Sequence, residues 1–160
     1  MRGICVACLL LLAAQLVGCS STTYFVLINR TSEVAIVKYS VDPTTTSGNC
    51  LLAPPYLDAP QLYRAKNLAR QIRKVRREDA TFRLDAASCT IEVNLKPEQG
   101  LLLWKVSGYE YYRTIGERTF LTNVEMSGSA GDRTYVGPDL DLEFSDATAG
   151  VHVLLYGPES

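Results

Sequence analysis

From residue 80 to the C-terminus, apolar side chains recur at every second position rather than at every third or fourth. The clearest example is residues 89–95, in which Cys, Ile, Val and Leu alternate with Thr, Glu and Asn. A period of two places successive side chains on opposite faces of a strand. The chain is therefore predicted to be mainly β, with Cys89 on a buried face.

Turn residues divide the chain into eight to ten short predicted strands. Residues 24–28 and 34–41 are separated by a short polar segment, so they are predicted to form an antiparallel hairpin. Residues 145–150 are predicted to be a loop. So many short strands predict a β-sandwich or a partly open barrel. The other predicted strands are 80–85, 89–95, 101–106, 109–115, 119–126, 134–136, 139–144 and 151–156.

Residues 60–77 depart from this pattern and predict one amphipathic helix. Asp58 suits its N-cap and Pro60 its first turn. Apolar residues recur there at spacings of three and four, which gives one apolar stripe. The members of this stripe are Leu62, Ala65, Leu68, Ala69, Ile72 and Val75.

The same segment is strongly basic, with seven Lys or Arg residues and no acid between 61 and 77. Near its end, Arg70, Arg73, Lys74 and Arg77 form a candidate face for lipid headgroups, an acidic partner or a polyanion. A solvated face fits the pattern as well. So does a face paired with residues 120–160, which carry seven acids against one Arg. We favour the solvated or internally paired arrangement.

The first 18 residues have a different character. Arg2 precedes an apolar run from Ile4 to about Ala14, and polar residues follow from Ser20. Eleven apolar residues suit the core of a signal peptide, whereas a membrane span needs roughly 20. Residues 1–18 are therefore predicted to be a signal peptide that is removed.

Leu16-Val17-Gly18-Cys19 resembles the lipobox of bacterial lipoproteins. The resemblance implies cleavage before Cys19, a diacylglycerol on its thiol and a fatty acid on its new amine. Ser20 rather than Asp follows, which in that class favours the outer membrane. Residues 19–23 would be a tether, of which the four polar residues span at most about 14 Å, and 24–160 one β-rich domain facing the periplasm.

Two cysteines remain in such a mature chain, Cys50 and Cys89. An even pair in an oxidising compartment predicts a disulfide. A loop of this length would stabilise the fold by about 4 kcal/mol in the chain-entropy model. A metal pair or a reactive thiol lacks supporting ligands, since His152 is the one histidine. We expect no metal and no cofactor.

Charge argues against nucleic acid as a partner. The mature chain loses only Arg2 among its charged residues, which leaves 15 basic and 17 acidic side chains. Asp139, Asp141 and Glu143 alternate along one predicted strand and are candidates for cation binding. Alternate positions lie about 6.8 Å apart, however, so a charged strand that resists edge pairing explains them more simply.

His152 and the aromatic residues give no firmer site. His152 has no Ser or Cys nucleophile in a recognisable motif and is interpreted as structural. Tyr109, Tyr111 and Tyr112, with Trp104 nearby, suit either a carbohydrate or protein contact or the core.

Nothing in the sequence assembles a nucleophile, a base and an oxyanion site, so we expect no catalytic residues and no enzyme. The leading hypothesis is a non-enzymatic outer-membrane lipoprotein that binds another envelope protein. One alternative is a periplasmic inhibitor or immunity protein that blocks a wall-degrading enzyme. The other alternative is a small envelope hydrolase.

Overall fold

Two β-sheets form the framework of the protein. The computed structural model describes residues 22–42, 50, 60–68, 72, 78–107, 121–137, 140, 143–148 and 150–158. The first sheet contains β1 (Thr22–Asn29), β3 (Gln61–Arg64), β4 (Glu78–Asp79), β7 (Gln99–Ser107), β10 (Ser145–Thr148) and β11 (Val151–Tyr156). The second contains β2 (Ala35–Val41), β5 (Phe82–Asp85), β6 (Thr90–Leu95), β8 (Leu121–Ser127) and β9 (Arg133–Val136). The prediction of a mainly β chain is confirmed.

The two sheets differ in strand direction. The six-stranded sheet has the order β10-β11-β1-β7-β3-β4, and β1 and β11 run parallel. We call it the mixed sheet. The five-stranded sheet has the order β5-β6-β2-β8-β9 and is antiparallel throughout, so we call it the antiparallel sheet. Leu27 and Leu154 of the first share one core with Val37 and Val93 of the second, in a sandwich-like arrangement.

Hydrogen bonds on both sides of β2 bring the ends of the two sheets together. The Asn29 side-chain amide donates to the carbonyl of Leu95, at the end of β6, over 2.8 Å. The Tyr156 hydroxyl donates to the carbonyl of Gly131, just beyond β8, over 2.7 Å. Asn29 and Tyr156 end the neighbouring strands β1 and β11. The sheets therefore meet along a shared end, and Thr22 lies at the opposite end of β1.

The predicted hairpin of residues 24–28 and 34–41 is wrong, because β1 and β2 belong to different sheets. Asn29 turns the chain from one sheet to the other. It is fully buried, its amide donates to Glu33 and Leu95 carbonyls, and its carbonyl oxygen accepts the Thr31 N–H. A buried amide with these partners holds the crossing in place.

The structure does not show the helix predicted near residues 60–77, and the prediction of a helical first turn is wrong. Gln61–Arg64 forms β3, paired with Gln99 to Leu102 of β7, and Ala65–Asn67 forms a 3-10 turn. Tertiary pairing overrides local propensity here, since Leu62 faces the shared core while Tyr63 faces the other side of the sheet. Residues 69–71 and 73–77 lie outside the described residues.

Those members of the predicted apolar stripe that the structure describes after Leu62 nevertheless cover the outer face of the mixed sheet. Leu68 and Ile72 are buried in a second apolar cluster on its outer face, together with Val26 and Ile28 of β1. The mixed sheet therefore has both faces buried. Burial of this kind allows continuous apolar runs in place of alternation.

An irregularity in β7 adds to the inner core. Phe25 pairs with Trp104 and Val26 with Leu102, so Leu103 is an extra residue on β7. A bulge of this type turns two successive side chains toward one face. Leu103 and Trp104 both reach the shared core.

The segment before β11 also differs from the prediction. Leu140 and Glu143 take 3-10 turns rather than the expected strand over 139–144, and Leu140 is fully buried. The expected loop at 145–150 contains β10, since Ser145–Thr148 pairs with the open edge of β11. Asp139 and Asp141 lie outside the described residues.

Candidate functional site

Cys50 and Cys89 form the predicted disulfide, with their Cα atoms 4.9 Å apart. Both residues are buried. The carbonyl of Cys89 accepts the Val41 N–H over 3.0 Å, which ties the end of β2 to the start of β6. Disulfides persist in oxidising compartments.

The turn before Cys89 is held by its own polar groups. The Ser88 hydroxyl donates to one oxygen of Asp85 over 2.7 Å, and the Ala87 N–H donates to the other over 3.0 Å. These hydrogen bonds, that from Ser88 first, hold the pKa of Asp85 below its usual value. Asp85 is thus used by the turn, which explains an exposed carboxylate beside the disulfide without invoking a ligand.

Four side chains form a row across the inner face of the mixed sheet toward the Thr22 end. Asp146, His152, Phe25 and Trp104 lie on the neighbouring strands β10, β11, β1 and β7. His152 stacks on Phe25 with ring centres 4.9 Å apart, and Phe25 stacks on Trp104 at 4.2 Å. Phe144 packs edge-on against Phe25 and Trp104. Trp104 therefore belongs to the core rather than to an exposed aromatic contact.

His152 and Asp146 have the contact that a catalytic base would need, but not its setting. The Nδ1 of His152 lies 2.6 Å from a carboxylate oxygen of Asp146. A carboxylate that orients a catalytic imidazole is buried, whereas the Asp146 side chain is 81% exposed. We interpret the pair as a link that fastens the edge strand β10 to β11. Tyr109, Tyr111 and Tyr112 lie outside the described residues.

The outer face of the antiparallel sheet presents a more regular arrangement. In strand order β5, β6, β2 and β8, the side chains of Arg83, Glu92, Lys38 and Glu125 lie directly beside one another. We call these four residues the charged row. Their signs alternate from one strand to the next. Lys38 and Glu92 form an ion pair at 3.4 Å, with side chains 47% and 33% exposed.

Uncharged hydrogen-bonding groups flank the charged row. The neighbouring row contains Thr90, Ser40 and Asn123 on β6, β2 and β8. The hydroxyls of Ser40 and Thr90 are 2.8 Å apart, and the Asn123 amide donates to Glu125 over 2.7 Å. The face is therefore mostly polar and of mixed charge, with Ile36 and Val136 as exposed apolar residues, which suits contact with a protein surface better than with lipid tails.

The remaining predicted site residues are not described. Cys19 and the basic residues Arg70, Arg73, Lys74 and Arg77 all lie outside the described residues. Sequence reasoning missed the charged row, since its members are separated by up to 87 positions along the chain. Each of them does occupy a polar position in an alternating run, so the alternation gives their face but not their neighbours.

Neither family models, nor curated proteins, nor solved structures gave a match to this chain. In the described part of the chain, no group of three His, Cys, Asp or Glu residues is placed to hold a metal ion. Of the helical segments described, none has the length and apolar character to cross a membrane.

Proposed function

We propose that this chain is a lipid-anchored, non-enzymatic binding component of the bacterial cell envelope. Residues 1–18 are the signal peptide, Cys19 carries the lipid, and residues 24–160 form the domain in the periplasm at the outer membrane. The observation that carries the proposal is Leu16-Val17-Gly18-Cys19 directly after an apolar run. The bonded pair Cys50–Cys89 supports an oxidising location.

The fold gives the anchor a short reach. Strand β1 begins at Thr22, three residues after Cys19, and the Tyr24 N–H donates to Gly150 over 2.9 Å. Two or more acyl chains, at about 0.8 kcal/mol for each buried methylene, hold a protein at a membrane stably. The Thr22 end of the sandwich would thus lie next to the bilayer.

Fatty-acid labelling tests the anchor. Cells that express the full chain with labelled palmitate should yield a labelled protein in the outer-membrane fraction, whereas Cys19→Ser should give an unlabelled precursor. Ser21→Cys in the Cys19→Ser background is a matched control, because it restores a thiol without the lipobox position. Equal labelling of wild type and Cys19→Ser would reject the anchor.

Partner binding is the other half of the proposal. Its support is the exposed polar face of the antiparallel sheet, together with the outward exposure of Asp146 instead of a buried catalytic pair. Crosslinking in living cells followed by mass spectrometry should identify a protein attached to this face, either another envelope protein or a second copy of this chain. Crosslinks confined to other parts of the chain would contradict it.

The basic residues Arg70, Arg73, Lys74 and Arg77 stay a prediction with two outcomes. The two outcomes are distinguished by binding of the unlipidated domain to vesicles with and without anionic lipid, at low and at high salt. Binding that needs anionic lipid and fades with salt would assign these residues to headgroups, at about 1 kcal/mol each. Lack of binding at low salt would favour the solvated or internally paired face.

A further inference from the structure

We propose that the outer face of the antiparallel sheet binds a second copy of this chain, face to face. The two-fold axis runs parallel to the strands and passes between β2 and β6. The charged row carries this inference, because its signs read plus, minus, plus, minus from β5 to β8. A row with this sequence is complementary to its own reverse.

The axis defines every charged contact. It reverses the strand order, so that Arg83 faces Glu125 of the second copy and Glu92 faces Lys38 of the second copy. By symmetry each pairing occurs twice, as in any isologous interface. The alternative axis in the plane of the sheet, perpendicular to the strands, places each charge opposite its own kind. The charges therefore select the first axis.

Within one copy, two charges of the row are already paired, since Lys38 and Glu92 form an ion pair. Glu125 accepts a hydrogen bond from the Asn123 amide but, like Arg83, has no ion pair among the described residues. Arg83 and Glu125 lie on strands three positions apart in the sheet, about 14 Å at the usual strand spacing. They cannot meet within one chain, although each can meet the other across the axis.

The neighbouring rows agree with the same axis. Thr90 faces Ser40 of the second copy, and Asp85 faces Asn123 of the second copy, so no like charges meet. Ile36, which is 39% exposed, faces Asn94 of the second copy. These contacts are polar or neutral and add no repulsion.

The same axis keeps both anchors at one end of the dimer. A rotation about a line parallel to the strands preserves direction along that line. The shared end marked by Asn29 and Tyr156 therefore keeps its side in both copies, and each Thr22 lies toward the other side. Two lipids could then enter one membrane. This point alone rests on the proposed function, since the charge pairing does not depend on the anchor.

The size of the face predicts a weak dimer. The axis overlaps β5, β6, β2 and β8 of each copy, which at about 4.8 Å per strand give a contact roughly 19 Å wide and, over about six residues, roughly 20 Å long. Its area of roughly 400 Å² per copy is smaller than the roughly 800 Å² of a standard protein interface, and exposed ion pairs contribute little each. Two copies held in one membrane plane would gain from a raised local concentration. The test is therefore best made in cells, before extraction.

Crosslinking between two tagged copies tests the proposal. Cells express the full chain with two different C-terminal tags and receive an amine-reactive crosslinker. The two Lys38 residues of the dimer would lie roughly 11 Å apart. Their strands are offset by about 4.8 Å along the sheets, and the sheets are about 10 Å apart. Crosslinked heterotagged dimers are then captured by one tag and detected by the other.

Charge exchange gives the decisive comparison. Arg83→Glu or Glu125→Arg, each present in both copies, should lower the dimer signal at least about tenfold, since two attractive contacts become repulsive. One copy with Arg83→Glu and the other with Glu125→Arg should restore it, because opposite charges face each other again. All pairings keep the same anchor, which controls for neighbours that merely share a membrane.

Each result decides the matter. Loss in both single pairings with recovery in the mixed pairing supports the dimer. Equal signals in all pairings, no wild-type dimer, no recovery in the mixed pairing, or a different protein crosslinked at Lys38 overturns it. Both positions are exposed, but each exchange also places like charges side by side within one sheet, Arg83→Glu beside Glu92 and Glu125→Arg beside Lys38, so melting of each variant is measured first. If one does not melt like wild type, Arg83→Gln and Glu125→Gln replace them. Each should weaken the dimer when present in both copies, and the mixed pairing should recover in part, because it keeps one of the two Arg83–Glu125 contacts. Fatty-acid labelling tests only the lipid on Cys19, so failure of the anchor is distinguished from failure of the dimer.

Discussion

The mixed sheet and the antiparallel sheet use the same kind of strand in two different settings. In β1 of the mixed sheet, the five successive residues from Phe25 to Asn29 are all buried. In β2 of the antiparallel sheet, buried residues strictly alternate with more exposed ones from Ala35 to Val41. The first sheet lies between the second sheet and the cluster around Leu68 and Ile72. The second has one face open to solvent.

This contrast shows that the number of buried faces, rather than β propensity, sets the pattern of each strand. Val26 and Ile36 illustrate it, because both point away from the shared core. Val26 is 0% exposed, whereas Ile36 is 39% exposed. A residue that points away from the shared core is therefore buried in the mixed sheet and exposed in the antiparallel sheet.

Substitution of these two residues should break the comparison if it is mistaken. Val26→Asp buries a charge without a partner and should lower the free energy of unfolding by about 4 kcal/mol or more. Ile36→Asp should cost under about 1 kcal/mol. Urea unfolding of the full chain measures both. If Val26→Asp fails to fold, Val26→Ala against Ile36→Ala makes the same test, and equal costs would contradict the two-faced burial.

The disulfide should have the next largest effect. Replacing Cys50 and Cys89 by Ala should lower the free energy of unfolding by about 2–4 kcal/mol, because the unfolded chain regains the freedom of a loop with a separation of 39 residues. The change is read from urea midpoints with and without reductant. Reductant should destabilise the wild type and leave the double variant unchanged. A wild type indifferent to reductant would argue against the bond.

Asn29 should matter because it joins the two sheets. Asn29→Ala removes the donors to Leu95 and Glu33 and the acceptor for Thr31, and leaves these groups without partners. We expect a loss of about 2–3 kcal/mol in the free energy of unfolding. Ser32→Ala, at an exposed position in the same turn, is the matched control and should change little. Similar losses for both variants would contradict the role of Asn29 in joining the two sheets.

Tyr39 should give the antiparallel sheet an alkaline limit. It is buried on the inner face of β2, and that burial raises the pKa of its phenol far above the ordinary value. A raised acid pKa means that the folded state holds its proton more tightly than the unfolded state. Stability is then fully present below about pH 10, the ordinary tyrosine value, and falls by about 1.4 kcal/mol per pH unit above it.

Tyr39→Phe should remove most of this alkaline dependence. Its free energy of unfolding would decline less between pH 9 and pH 11 than that of the wild type, as measured by urea titration at each pH. Tyr135→Phe, at a half-buried position two strands away in the same row, is the control. An identical decline in wild type and Tyr39→Phe would show that other groups cause it.

The sequence predicted the antiparallel sheet better than the mixed sheet, for the same physical reason. Alternation in residues 89–95 correctly placed Cys89 and Ile91 on the buried face, since one face meets water. Residues 24–28 carry no alternation, so nothing local shows that their neighbours are β7 and β11 rather than β2. The short polar segment between residues 24–28 and 34–41 predicts a hairpin whether or not these two runs are partners.

Residues 60–77 show a second limit. Spacings of three and four residues link Leu62, Ala65, Leu68 and Ile72, yet Leu62 lies in a strand, whereas the other three cover the sheet. Apolar positions were identified correctly, whereas the local conformation at residues 61–64 was decided by pairing with β7. The charged row likewise needs the register of four strands, which no local pattern supplies.

The proposed lipid anchor at Cys19 is the central claim, and intact-protein mass spectrometry measures it directly. Protein extracted from membranes with detergent should begin at Cys19 and carry the added mass of a diacylglycerol and a fatty acid. Alkylation of the denatured, non-reduced protein should leave Cys50 and Cys89 unmodified. A chain that begins at Met1, or that begins at another residue without acyl groups, would contradict the proposed lipoprotein.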